Sequence, residues 1–200
     1  MLKIAVLGST RGTSLQPIID TIAQGELDAS IELVVSNKPD AYILERASEH
    51  GIEAVYVPRL GGVTAAGAKR SREEYDAEIM TLLDARQIDF VLLIGYMRIL
   101  SPAFVRRWRK KIMNVHPSLL PKFAGGMDLE VHRGVLAAHE KETGCTIHWV
   151  DEGVDTGKII VQKKCSVETT DTPETLKAKV QALEGEAFIE AIQRVIGNRF

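Results

Sequence analysis

A small set of polar residues in this chain has the types and spacing to act on a carbonyl carbon. In IMNVHPSLLP, Ile112 to Pro121, an Asn and a His stand two residues apart at the end of an apolar run that Pro117 and Pro121 then break. If the run is a β-strand, alternate side chains share a face, so Asn114 and His116 project together from its last residues. An amide that donates a hydrogen bond, beside an imidazole that donates a proton, can stabilise a carbonyl oxygen as it becomes negative. The stretch DEGVDTG offers a carboxylate to complete the set, because Asp155 could orient the His116 imidazole and favour its charged form. Taken singly, each feature has a plainer reading. A lone His at a strand end is more often structural, and Asp, Gly and Thr are common in turns for local reasons.

Two further features suit a ligand. GSTRGTSL, Gly8 to Leu15, is a glycine-containing turn between a strand and a helix, and backbone N–H groups at a helix start favour an anion such as a phosphate. It is neither a full dinucleotide fingerprint nor a Walker loop, and by itself it reads equally well as a tight turn with Thr13 or Ser14 as N-cap. In the last helical segment Val180, Leu183, Ala187 and Phe188 form an apolar stripe, and Glu184 falls on it. A carboxylate there either pairs internally or faces a ligand cavity. The five histidines show no tight ligand spacing with the two cysteines, so no metal is expected.

The elements that must position these residues follow from periodicity. Continuous apolar runs (LKIAVLG, IELVVSN, EAVYV, IDFVLLIG, KIMNVH) alternate with helix-period segments. The predicted helices begin near Leu15, run from about Asp40 to His50, open at the Ser71/Glu74 capping box, run near Pro102 to Lys110 and run around Leu129 to His139. Fully apolar strands alternating with helices imply a parallel sheet covered on both faces, the doubly wound, Rossmann-like α/β class. CTIHWV and KIIVQKKCSV, joined by DEGVDTG, predict an antiparallel edge, and a long helix follows Asp171, Thr172 and Pro173. In such sheets ligands bind beyond the carboxyl ends of the strands, which selects GSTRGTSL, GYMRIL, NVHPSLLP and DEGVDTG.

Composition bounds the function classes. With 200 residues, 45% hydrophobic and 26% charged, the chain can bury a core, and one domain over 1–200 is the best prior. A net charge of -2 gives no basic surface for nucleic acid and no reason to expect a membrane partner. MLKIAVLGST reads as a first strand, not a signal or a span, and Cys145 and Cys165 read as buried thiols of a cytoplasmic protein. Partners should be small molecules, with the chain a monomer or a homodimer.

GSTRGTSL, SNKPDA, SREEYD, GYMRILSPAFV, NVHPSLLPKF, DEGVDTG and the terminal helix with Gln181 and Glu184 together resemble the phosphoribosylglycinamide formyltransferases, in order and over essentially the whole chain. The resemblance implies transfer of the formyl group of 10-formyltetrahydrofolate, as co-substrate and without a metal, to the amine of glycinamide ribonucleotide in purine synthesis. It implies that Gly12, Thr13 and Ser14 hold the substrate phosphate, and that Gln181 and Glu184 meet the glycinamide end. It assigns Arg72, Met97, Arg98, Ile99, Leu100 and Asn114 to the folate, and catalysis to Asn114, His116 and Asp155. The formyltetrahydrofolate deformylases share HPSLLP and are one rival enzyme reading, a nicotinamide-dependent reductase another. A non-catalytic module that binds a phosphorylated metabolite is the rival from another class.

Overall fold

The computed structural model describes residues 1–58 and 70–197. In chain order its elements are β1 (Leu2–Leu7), α1 (Leu15–Ala23), β2 (Ala29–Ser36), α2 (Tyr42–Glu49), β3 (Ala54–Tyr56), α3 (Arg72–Ala85), β4 (Phe90–Leu93), α4 (Pro102–Arg107), β5 (Ile112–His116), α5 (Leu129–Ala137), β6 (Glu142–Trp149), β7 (Ile159–Ser166) and α6 (Pro173–Gly197). Contacts group them into two compact units, one of Met1–Gly12 with Asp28–Ile112, the other of Thr13–Leu27 with Met113–Phe200.

In the first unit the strands run β3-β2-β1-β4, every pair parallel. Such strands are apolar on both faces, and from Ile4 through Leu7 no side chain of β1 reaches water. Leu7 stands level with Val35 and with Leu93, so the loops after β1, β2 and β4 leave the sheet at one edge. The capping box of α3 forms as expected: the Ser71 hydroxyl accepts the Glu74 N–H and the Glu74 carboxylate accepts the Ser71 N–H. At α4 the Ser101 hydroxyl caps the Phe104 N–H and Pro102 opens the first turn.

The second unit carries β5, β6 and β7, and both of its strand pairs are antiparallel. The expected antiparallel edge is therefore present and begins one strand earlier, at β5–β6. That register sets Asn114 opposite His148 and His116 opposite Thr146. Helix α6 packs against β6, β7, α1 and α5. Its approach to α1 is close enough that a Cβ on Gly185 would lie 2.6 Å from the Pro17 ring, so only glycine fits there.

Helix ends differ from the sequence expectation where a non-glycine residue takes the left-handed conformation. Lys110, at φ 58°, turns the chain after α4 has stopped at Arg107, and His139, at φ 51°, lies beyond the end of α5 at Ala137. Cys145 is buried as expected, Cys165 only half-buried, and both thiols are free. Among the described residues no helix is long and apolar enough to cross a membrane, and no group of three or more His, Cys, Asp or Glu side chains is arranged to hold a metal ion.

Candidate active site

The second unit brings the predicted trio together. Strand β5 ends at His116, with Asn114 two residues back on the same face. Asp155 reaches them from the connection after β6, where it takes a left-handed backbone conformation (φ 55°) that an Asp tolerates better than most residues. Its Oδ2 lies 3.0 Å from His116 Nδ1 and accepts the Gly125 N–H at 2.9 Å, while its Oδ1 lies 3.5 Å from Asn114 Nδ2. Burial pushes the Asp155 carboxyl up, but hydrogen bonds from His116, His148 and the Gly125 N–H outweigh it and hold the group well below the usual carboxylate range. The acid stays ionised beside the ring it orients.

His116 is only 3% exposed. Its second nitrogen, Nε2, meets the Phe123 carbonyl at 2.9 Å. Each ring nitrogen thus faces an acceptor, a carboxylate at Nδ1 and a carbonyl at Nε2. Asn114 is half-buried beside it. The arrangement is a hydrogen-bond donor and a proton donor aimed from one strand end.

Sequence reasoning missed three partners. His148 lies 3.4 Å from Asp155 Oδ1 and 3.2 Å from Asn114 Nδ2. Only the β5–β6 register places it there. The Phe123 carbonyl and Gly125 N–H are backbone groups of the loop after β5, and no residue type announces a backbone contact. The two glycines of AGG were the available signal, and Gly125 does take a positive φ of 78°.

Also in the second unit, α1 and α6 bring Ser14 to Glu184. Ser14 occupies the N-cap position, but its backbone is already helical (φ -72°, ψ -13°) and its hydroxyl makes no cap bond, contrary to the N-cap reading. The hydroxyl is instead donated to Glu184 Oε2 at 2.5 Å. Glu184 is 8% exposed, and burial raises its carboxyl to about 7 despite that bond. Gln181 lies three residues before it on α6, half-buried.

The first unit holds the other predicted contacts. Gly12 has φ 62°, and a Cβ on it would fall 2.4 Å from the Ile43 side chain, so the first loop can lie against α2 only with glycine at that point. Along the segment after β4, Met97 and Ile99 (66%) are exposed and Leu100 is buried. The segment is pinned at both ends: Ser9 Oγ accepts the Met97 N–H at 3.0 Å, and the buried Asp76 carboxylate accepts the Ser101 N–H at 2.5 Å. The Arg98 guanidinium lies 4.2 Å from the centre of the Tyr75 ring, and Arg72 is half-buried at the start of α3.

A strand-end amide and a carboxylate-braced imidazole, with an incoming group to serve as nucleophile, are the equipment of an acyl-transfer enzyme. The chain matches the formyl transferase family over residues 2–192, and it belongs to that family. It is 42% identical over 98% of its length to the trifunctional purine biosynthetic protein adenosine-3 of Drosophila melanogaster, of whose length it spans 14%. It is 39% identical over 92% of its length to the phosphoribosylglycinamide formyltransferase of Escherichia coli, covering 82% of that protein. The crystal structure of phosphoribosylglycinamide formyltransferase from Bacillus halodurans superposes with a TM-score of 0.87, at 36% identity, covering 99% of this chain and 97% of that one. The fold class is the one read from the sequence: α/β, Rossmann-like, mostly parallel with an antiparallel edge.

Proposed function

We propose that the chain transfers the formyl group of 10-formyltetrahydrofolate to the amine of glycinamide ribonucleotide, acting on these small molecules in the cytoplasm. The observation that carries this reading is the His116–Asp155 contact of 3.0 Å with the Asn114 amide on the same strand face. An amine with a pKa near ~8 is partly neutral at physiological pH, so the substrate supplies its own nucleophile and needs positioning more than activation. Its lone pair attacks the formyl carbon, a C–N bond forms, and the carbonyl oxygen becomes an oxyanion. An N–H of Asn114 stabilises that oxygen, joined by the Nε2–H of His116 once it is exchanged from the Phe123 carbonyl, and Asp155 keeps the ring oriented through Nδ1. On collapse the bond to the folate nitrogen breaks, and the proton lost by the amine passes to that nitrogen, directly or through His116.

The remaining assignments follow the same reading. Gly12, Thr13 and Ser14 take the phosphate; with the Ser14 hydroxyl given to Glu184, the backbone N–H groups are what this loop offers an anion. Gln181 and Glu184 meet the glycinamide end. Met97 to Leu100, with Arg72, wall the folate, and the exposed Met97 and Ile99 supply apolar surface for a flat ring. In a spectrophotometric assay of folate release, activity should require both substrates, and His116→Ala should lose on the order of a hundredfold in kcat while folding normally. Formate release without the amine would instead indicate a deformylase. Near-normal turnover by the folded variant would overturn the assignment of His116.

A further inference from the structure

Asp76 is a buried carboxylate on α3 that the mechanism above does not use. It is 1% exposed, and its neighbour Tyr75 is fully buried. A carboxylate taken out of water is costly unless donors or positive charges meet it, so its partners decide what it does. Its Oδ2 accepts the Ser101 N–H at 2.5 Å. Burial is the largest influence on the carboxyl and raises it, while the Ser101 N–H and hydroxyl and the positive charges of Arg98 and Arg72 oppose the rise. Those donors and charges come from the segment after β4 and from the residue that opens α3, the places assigned to the folate.

Two consecutive residues of α3 therefore hold one short segment. The Tyr75 ring carries the Arg98 guanidinium at 4.2 Å, and the Asp76 carboxylate holds Ser101 three residues further on. Between them stand Ile99, which is exposed, and Leu100, which is buried. The Tyr75 ring is itself fixed, because its hydroxyl is donated to the Val57 carbonyl at 3.3 Å. At the start of the segment, Ser9 Oγ accepts the Met97 N–H and is donated to Asn37 Oδ1 at 2.5 Å. At its end, the Ser101 hydroxyl that caps α4 belongs to the residue Asp76 holds. The segment lies between β4 and α4, outside any strand or helix, so bonds of this kind rather than a ladder set its conformation.

We propose that Asp76 is a positioning residue for the formylfolate: its carboxylate fixes the backbone at Ser101 and balances the charge of Arg98, so that Met97 to Leu100 offer that ligand one preformed surface. The proposal rests on the reading of this segment as the folate wall. Steady-state kinetics on the intact chain, with 10-formyltetrahydrofolate and glycinamide ribonucleotide varied in turn, test it. Asp76→Ala leaves the Ser101 N–H without its acceptor and should raise the KM for the formylfolate roughly tenfold or more, with kcat and the KM for glycinamide ribonucleotide within about twofold. Asp76→Asn keeps an acceptor for that N–H and loses only the charge, so it should raise the same KM by about threefold.

A carboxylate that served stability alone would not divide the two KM values. An unchanged formylfolate KM in a folded Asp76→Ala protein, an equal rise in both KM values, or a loss of kcat with both unmoved would overturn the proposal. Should the alanine variant fail to fold, Asp76→Asn decides the matter, and a formylfolate KM equal to wild type would refute the role. Arg98→Ala and Ile99→Ala test the reading beneath it. If neither raises the formylfolate KM, the segment is not the folate wall and the role of Asp76 falls with it. If both raise it and the Asp76 variants do not, only the role of Asp76 falls.

Discussion

Glu184 shows how one side chain can set a protein's response to pH. Its carboxyl is raised from 4.5 to about 7, with burial as the largest cause and the Ser14 hydroxyl opposing it. A raised folded-state value means that the group favours folding below its unfolded value and loses that advantage as pH rises through the folded one. A shift of that size corresponds to about 3 kcal/mol, lost between roughly pH 4.5 and 7. Glu184→Gln keeps an acceptor for the Ser14 hydroxyl and removes the charge. In urea unfolding the variant should match wild type near pH 4.5 and exceed it by up to about 3 kcal/mol at pH 8. Parallel pH profiles would refute the argument. Asp155 has the opposite sign, held low by its donors, so its contribution is lost only as pH falls below the ordinary carboxylate range. Glu184 was legible in the sequence as a charge on an apolar stripe. Its partner was not, because Ser14 and Glu184 are 170 residues apart and local spacing cannot name such a pair.

At the scale of elements, the hairpin of β6 and β7 carries Asp155, and Gly157 is where its geometry is tightest. A methyl at Gly157 would sit 1.6 Å from the Trp149 oxygen and 3.6 Å from His148 Nδ1. Backbone cannot yield as a side-chain tip does, so Gly157→Ala should destabilise by about 1–3 kcal/mol, the range for overpacking. It should also lower kcat, since the connection that must shift carries Asp155 two residues away. Chemical unfolding together with steady-state kinetics checks both, and a variant equal to wild type in each would show that the hairpin gives way elsewhere. The local parts of this architecture were readable: the Ser71 capping box, the proline-opened helices and the DEGVDTG connection all depend on neighbours a few residues apart. The β5–β6 pairing was not. Its register joins residues 34 apart across the loop and helix that separate the two strands, and that register is what put His148 beside Asn114.

For the whole molecule, the path of the chain matters more than any single contact. The units interleave in sequence, Met1–Gly12 and Asp28–Ile112 in one, Thr13–Leu27 and Met113–Phe200 in the other. Helix α1 belongs to the second unit, where it packs on α6, while the strands on either side of it in sequence, β1 and β2, pair with each other in the first. To unfold the second unit alone, α1 would have to come away while β1 and β2 stayed paired. The segments joining α1 to those strands are Gly8 to Ser14 and Gln24 to Asp28. Slack is short on both sides, and the first of these segments is itself bonded into the fold, through Gly8 N–H to Val35 and Ser9 N–H to Gly95. Neither unit is a continuous piece that could be cut out and refolded. The 200 residues should therefore unfold as one domain, in a single transition with coincident midpoints by circular dichroism and by fluorescence of Trp108 and Trp149, which lie one in each unit. A plateau between two transitions, or a Trp108 signal that persists after Trp149 has lost its own, would show two domains and refute the single-domain reading.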